Sequence, residues 1–339
     1  MAPGGRAPGR RAVALGALAL AGAAALGTLA ARRSGLIAPR PLSAARAAAL
    51  YAAPLAPPAG AMRVFHLGHS LVGRDMPAML AQIAPPGHAS HSQLGWGASL
   101  RDHWRGPDAV AGFAAENAHP AHRPAFAALD GGGYDAVVLT EMVEIRAAIA
   151  HHASWRHLRA WARRARAARP DVRLYLYETW HPLDDPEGWL ARLDADPARY
   201  WRREILDRAQ ARPLAGGPIR VIPAGSVLAA AVRAIEGAGG TPALPDRRAF
   251  FAPALFAPDN AGAVDPIHLG DLGNYLVALT HAAVLYHRLP PVPAALARAD
   301  GSPAVLPDPE GERLLRAAVA GVVANDPRSG VARLAGAEG

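Results

Sequence analysis

Two short stretches far apart in the chain contain the side chains of a serine hydrolase. Phe65-His66-Leu67-Gly68-His69-Ser70-Leu71-Val72 places the hydroxyl of Ser70 where an apolar strand ends. Asp265-Pro266-Ile267-His268 offers a carboxylate and an imidazole from one loop. A carboxylate beside a histidine fixes the ring's tautomer, which leaves the other ring nitrogen to take the serine proton. Ser70, His268 and Asp265 are thus the candidate nucleophile, base and orienting acid. His69 is a poor base for Ser70, because neighbours on an extended backbone point to opposite sides. The Gly-x-Ser-x-Gly elbow of other hydrolases is absent. Either fragment alone is equally compatible with a helix cap or a plain loop.

An oxyanion needs donors, and Gly97 in Gly95-Trp96-Gly97 can provide one. A glycine at a strand end lets its N–H approach a ligand without a Cβ in the way. Paired with the N–H of Ser70, it would stabilise a tetrahedral intermediate. The plain alternative is a turn glycine.

Positioning these groups requires strands that end together. Short apolar runs alternate with longer amphipathic ones from Met62 onward. Strands are expected at 62–67, 90–94, 136–139, 172–177 and 219–222, with helices between them. Asp75 is expected to cap the first of these helices, and Ser154 a later one. Strands separated by helices predict a layered α/β fold with a mostly parallel five-stranded sheet. Ligands in such sheets sit beyond the carboxyl ends of the strands. The residues there are Gly68-His69-Ser70, Gly95-Trp96-Gly97, Thr140-Glu141 and Glu178-Thr179-Trp180-His181. His69, Trp96, Glu141, Glu178 and Trp180 are therefore the candidate substrate-binding residues. The two tryptophans would stack on sugar faces, and Glu178 would accept hydroxyl hydrogen bonds. Packing at the base of a helix is the structural alternative for the Glu178–His181 cluster.

In this order the segments resemble the SGNH (GDSL-type) hydrolases. Gly68-His69-Ser70-Leu71 is similar to that family's first block, with histidine where aspartate or asparagine usually stands. Gly95 to Trp104 resembles the second block, with Gly97 in the oxyanion position. Asp265-Pro266-Ile267-His268-Leu269-Gly270 resembles the last block. The resemblance spans about 62–286. It implies a flavodoxin-like three-layer α/β/α fold and an esterase with a Ser70–His268–Asp265 triad that needs no metal or organic cofactor. It departs at the third block, where the family's asparagine completes the oxyanion hole and this chain has Thr140-Glu141. An ionised carboxylate donates no hydrogen bond and repels a developing anion. Glu141 is expected to face the cleft, and three explanations stay open: it is protonated through burial, it turns away to bind substrate hydroxyls, or the site is catalytically feeble.

The rest of the chain bounds this reading. It has 339 residues, no cysteine and a formal charge of +8. The missing cysteine excludes disulfides, thiolate metal sites and a cysteine nucleophile. The arginines follow helix faces without a basic stripe of stacking aromatics, so nucleic acid is not an expected partner. His66-x-x-His69 and His88-x-x-His91 could be drawn as metal ligands, yet side chains three apart on a strand diverge. Arg6, Arg10 and Arg11 precede an apolar run at 12–31 that Arg32-Arg33 close. That is the layout of an export signal, and its length also suits a membrane anchor. Residues 1–33 are read as that leader and 34–61 as a Pro/Ala-rich connector. The hydrolase-like domain is placed at 62–325, with a loose tail at 326–339. The expected setting is export to the periplasm or beyond, with a tether at 12–31 as one form. The expected substrate is a small-molecule or carbohydrate ester, such as an O-acetylated sugar. Two other readings use the same fold: an O-acyltransferase with the same residues, and a carbohydrate-binding or assembly protein that has lost the chemistry.

Overall fold

A computed structural model describes residues 38–254 and 263–336. The leader at 1–33 and its apolar run at 12–31 lie outside the described residues. Among the described residues, no helix is long and apolar enough to cross a membrane.

Five strands, β1 (Arg63–Leu67), β2 (Ala89–Gln93), β3 (Ala136–Thr140), β4 (Arg173–Glu178) and β5 (Arg220–Pro223), form one parallel sheet in the order β2-β1-β3-β4-β5. Each begins or ends within a residue or two of its expected position. Their period-two side chains sort into two cores. Val64, Val138, Tyr175, Tyr177 and Ile222 face one side, and Phe65, Leu67, Val137, Leu139, Leu176 and Val221 the other. The first core is covered by helices α2 (Asp75–Ile83), α5 (Ala224–Gly237), α6 (Asp271–Tyr286) and α7 (Pro309–Asn325). The second is covered by α1 (Ala44–Tyr51), α3 (Leu100–Arg105) and α4 (Ser154–Ala168). The fold is therefore three-layered, α/β/α. The strand order reverses between β1 and β3, which makes the carboxyl ends of these strands the natural crevice.

A second sheet lies outside these layers. β6 (Phe251–Pro253) and β7 (Val264–Leu269) pair antiparallel, with Phe251 opposite Leu269 and Pro253 opposite Val264. Asp265 and His268 lie on β7, so the expected loop is one strand of a ribbon.

Four local expectations need correction. The connector at 34–61 contains α1, which is docked: Ser43 caps it by accepting from the Arg46 N–H at 3.3 Å, and Tyr51 is buried. Alanine favours helix as strongly as it populates linkers, and composition alone does not separate the two. The tail beyond Asp326 is also packed, at least to residue 336. Val331 and Leu334 are buried, Arg328 bonds Asp207 at 2.7 Å, and the Ala335 carbonyl accepts from the Leu289 N–H at 2.9 Å. Asp75 begins α2 without capping it, and its carboxylate accepts instead from the Ala299 N–H at 2.9 Å. Ser154 is likewise the first helical residue of α4, and the cap position belongs to Ala153.

Tyr51 makes the docking of α1 testable. Its hydroxyl donates to the Ile219 carbonyl at 2.9 Å and accepts from Gln210 at 2.5 Å, and its ring sits in the second core. Tyr51→Phe is expected to cost about 1 kcal/mol. Tyr51→Ala is expected to cost about 3–5 kcal/mol by chemical denaturation. A true linker residue would show neither loss.

Candidate active site

The nucleophile turn forms because β1 ends against β3. A Cβ on Gly68 would lie 2.6 Å from the Thr140 Cβ, so only glycine lets the chain leave the sheet at this point. The turn that follows is closed by the Val72 N–H donating to the His69 carbonyl at 2.9 Å. Buried side chains hold it from below. His103 bonds the Gly68 carbonyl at 2.7 Å through Nε2 and Gln93 at 2.9 Å through Nδ1, while the Tyr177 hydroxyl donates to the Leu71 carbonyl at 3.2 Å. His103 lies within the second block read from the sequence, but nothing in its spacing shows that it braces Ser70.

Ser70, 198 positions away in the chain, meets His268 at this turn. Ser70 Oγ is 2.9 Å from His268 Nε2, and His268 Nδ1 is 2.9 Å from Asp265 Oδ2. The other carboxylate oxygen, Oδ1, accepts from the N–H groups of Ile267 and His268, each at 2.8 Å. Partial burial alone would raise Asp265, but these backbone bonds and the imidazole outweigh it and hold the carboxyl below its ordinary range. Asp265 therefore stays ionised beside the ring, and its orientation is fixed by three donors.

Ser70 and His268 open onto a cleft of about 900 Å³ that continues along β2 and α2 past Asp75, Ser90, Ser92 and Glu116. That volume suits a small ligand. Gly97 sits in a left-handed turn at the end of β2, and the space where its Cβ would project is empty. The N–H groups of Ser70 and Gly97, on turns that follow adjacent strands, have no hydrogen-bond partner among the described residues.

None of the five expected substrate-binding residues lines this cleft, and four of them are buried. His69 is buried, with Nε2 on the Glu141 carbonyl at 2.9 Å, and burial holds it down to about 4, so it is a neutral structural group. Glu141 is also fully buried. It accepts from the N–H of Met142 at 2.9 Å and of Leu100 at 3.3 Å, anchoring the start of α3. Burial pushes its carboxyl up to about 7, against the Met142 N–H, Ser154 and the Leu100 N–H, which pull it down. Glu178 is buried and accepts from the Ser226 N–H at 3.1 Å and hydroxyl at 2.5 Å. Trp180 is only 3% exposed, and its indole donates to the Ile267 carbonyl at 2.7 Å. With the Leu183 N–H donating to the Pro266 carbonyl at 2.7 Å, it clasps β7 between Asp265 and His268. Trp180 thus holds the strand that carries His268 and does not line the cleft. All four residues follow strand ends, but a strand end fixes only where the backbone goes; the side chains turned inward to satisfy buried backbone groups. Trp96, by contrast, is 58% exposed; it does not line the cleft itself, but its indole donates to Glu116, which does.

The histidine pairs do not form metal sites. His66 lies against His281, with ring centroids 5.7 Å apart, while His69 points to β3. Among the described residues, no group of three or more potential ligands could hold a metal ion. Comparison with protein-family models, curated proteins and solved structures found no match for this chain.

Two predictions separate bracing from chemistry. Glu141→Gln keeps the acceptor for Leu100 and Met142 and removes the titration. The unfolded carboxyl ionises near 4.5 and the folded one near 7, so wild-type protein loses stability relative to the variant as pH rises through that window. At pH 8 the variant is expected to be about 1–3 kcal/mol more stable by denaturant titration. Trp180→Phe retains the ring packing and frees the Ile267 carbonyl. Whatever reaction Ser70 performs should slow by about tenfold in kcat, with KM little changed, as expected when a mispositioned base weakens only the transition state.

Proposed function

We propose that this protein is a serine esterase of the SGNH type. The hydrogen-bonded series Asp265–His268–Ser70, open to a ligand-sized cleft, carries this reading. Ser70 Oγ attacks the ester carbonyl as His268 Nε2 takes its proton, and the same proton goes to the departing alcohol. Asp265 keeps Nδ1 protonated and stabilises the imidazolium. The unengaged N–H groups of Ser70 and Gly97 point to a two-donor oxyanion hole. Glu141 supplies no third donor to the cleft, because its side chain is fully buried and does not line it. Water then attacks the acyl-enzyme with His268 as base, and the acid leaves. The reading includes export, with residues 1–33 as signal or anchor.

Labelling with a fluorophosphonate probe tests this reading. Wild-type protein is expected to label and to hydrolyse 4-nitrophenyl acetate, and Ser70→Ala to lose both. Asp265→Asn should lower kcat by on the order of 10³–10⁴, because the ring then takes the wrong tautomer. Folded wild-type protein that neither labels nor hydrolyses would instead be a binding module on this fold.

A further inference from the structure

One hydroxyl inside the cleft has its orientation decided by the fold. Ser90 lies on β2 and lines the cleft together with Ser70 and His268. A series of hydrogen bonds stands behind it. The Met62 N–H can only donate, and the Tyr286 hydroxyl oxygen accepts it at 3.1 Å. Tyr286 in turn donates to His88 Nδ1 at 2.6 Å. Were Tyr286 to accept from both, its own proton would be buried without an acceptor. Burial holds His88 down to about 4, so its ring is neutral. A neutral ring that accepts at Nδ1 carries its proton on Nε2. That proton is donated to Ser90 Oγ at 2.9 Å. Ser90 Oγ makes no other bond among the described residues, and its own proton is left for the cleft.

The surroundings limit what that proton can meet. Ser90 pairs with Val64, three residues before β1 ends, so it lies about 10 Å below the strand end that leads to Ser70. Pro77, Ala78 and Ala81 of α2 line the same cleft. Arg74 and Asp75 stand where α2 begins, and Ala81 is about 9 Å further along the helix. Charged groups thus mark the rim at this helix, and small apolar ones the level of Ser90. Other charges are engaged by the fold: Glu116 by the Trp96 indole, and Arg298 by both oxygens of Asp271. His66, two residues beyond Val64 on the same face of β1, also lines the cleft. It is fully buried, held neutral by that burial, and neither ring nitrogen has a partner among the described residues.

Strand order says which part of an ester reaches Ser90. Trp180, which follows β4, holds the strand of His268, and β2 lies on the opposite flank of β1. The alcohol leaves with the proton from His268, so the group that extends over β2 is the acyl chain. We infer that Ser90 donates a hydrogen bond to an acceptor oxygen, such as an oxo group, carried on the acyl chain of the substrate. The inference rests on the esterase reading and names its acyl group. A plain alkyl chain would leave the Ser90 proton unpaired. An ammonium would bring only further protons. A carboxylate would be stripped of water against Pro77, Ala78 and Ala81.

The test is a ratio of kcat/KM between 4-nitrophenyl esters of equal chain length, 4-oxopentanoate against pentanoate and 5-oxohexanoate against hexanoate. Ser90→Ala is expected to lower the oxo-to-alkyl ratio about fivefold at one of these lengths. Ser90→Thr, which keeps a hydroxyl on the strand, should retain most of the wild-type ratio. A ratio unchanged at both lengths in Ser90→Ala overturns the inference. So does a loss confined to 4-nitrophenyl 6-aminohexanoate, whose ammonium can only donate and would need Ser90 as acceptor. If wild type hydrolyses none of these esters, the esterase reading falls, and calorimetric titration with methyl 5-oxohexanoate and methyl hexanoate judges the hydroxyl by itself. Binding no tighter for the oxo ester, or equally tight in Ser90→Ala, then overturns it.

Discussion

The contact between Ser70 Oγ and His268 Nε2 joins a turn behind β1 to a ribbon strand 198 residues later. Neither end can drift by more than a few tenths of an ångström without losing it, because hydrogen bonds of this kind weaken steeply with distance and angle. Much of the surrounding structure reads as the means of holding both ends. Below Ser70 are Gly68 packed on β3, His103 on the Gly68 carbonyl and Tyr177 on the Leu71 carbonyl. Below His268 are Trp180 and Leu183, which grip the two peptide carbonyls between Asp265 and His268. The braces below Ser70 are buried, so their bonds are protected from competing water and cost more to break than a surface contact; those below His268 are only part-buried.

The polar residues beneath the site have a second consequence. His69, His103, Glu141 and Glu178 are ionisable groups placed where a charge is poorly solvated. Burial holds both histidines down to about 4 and pushes Glu141 up to about 7. At neutral pH the histidines are therefore neutral, each able to donate from one nitrogen and accept at the other. They do structural work as bifunctional hydrogen-bonding groups. Asp265, by contrast, is held ionised beside the histidine that meets the serine.

The turn that carries Gly97 is held differently. Trp96 is fixed by contacts to Gly112 and Glu116 while its open face stays in water. Burying an indole ordinarily contributes to stability, so a fold that clamps one open forgoes that gain. The bracing below Ser70 and the clamp beside Gly97 both fix side chains and backbone by contacts within the fold.

The layered sheet was legible in the chain because alternating apolar strands and amphipathic helices are local, periodic signals. That Ser70, His268 and Asp265 come together was legible because Asp265 and His268 are close in sequence and Ser70 follows a strand. Side-chain direction was not legible. Glu141, Glu178 and Trp180 stand at strand ends like the residues that do reach the cleft, and only the packed structure shows them turned inward to pair with Leu100, Ser226 and Ile267. The docked helix 44–51 and the packed segment after Asp326 were hidden for the same reason, since their partners, Ile219 and Leu289, are far away in sequence. Local pattern specifies which backbone elements form and where they stop; which buried donor or acceptor each polar side chain must satisfy depends on neighbours that only the folded chain brings near.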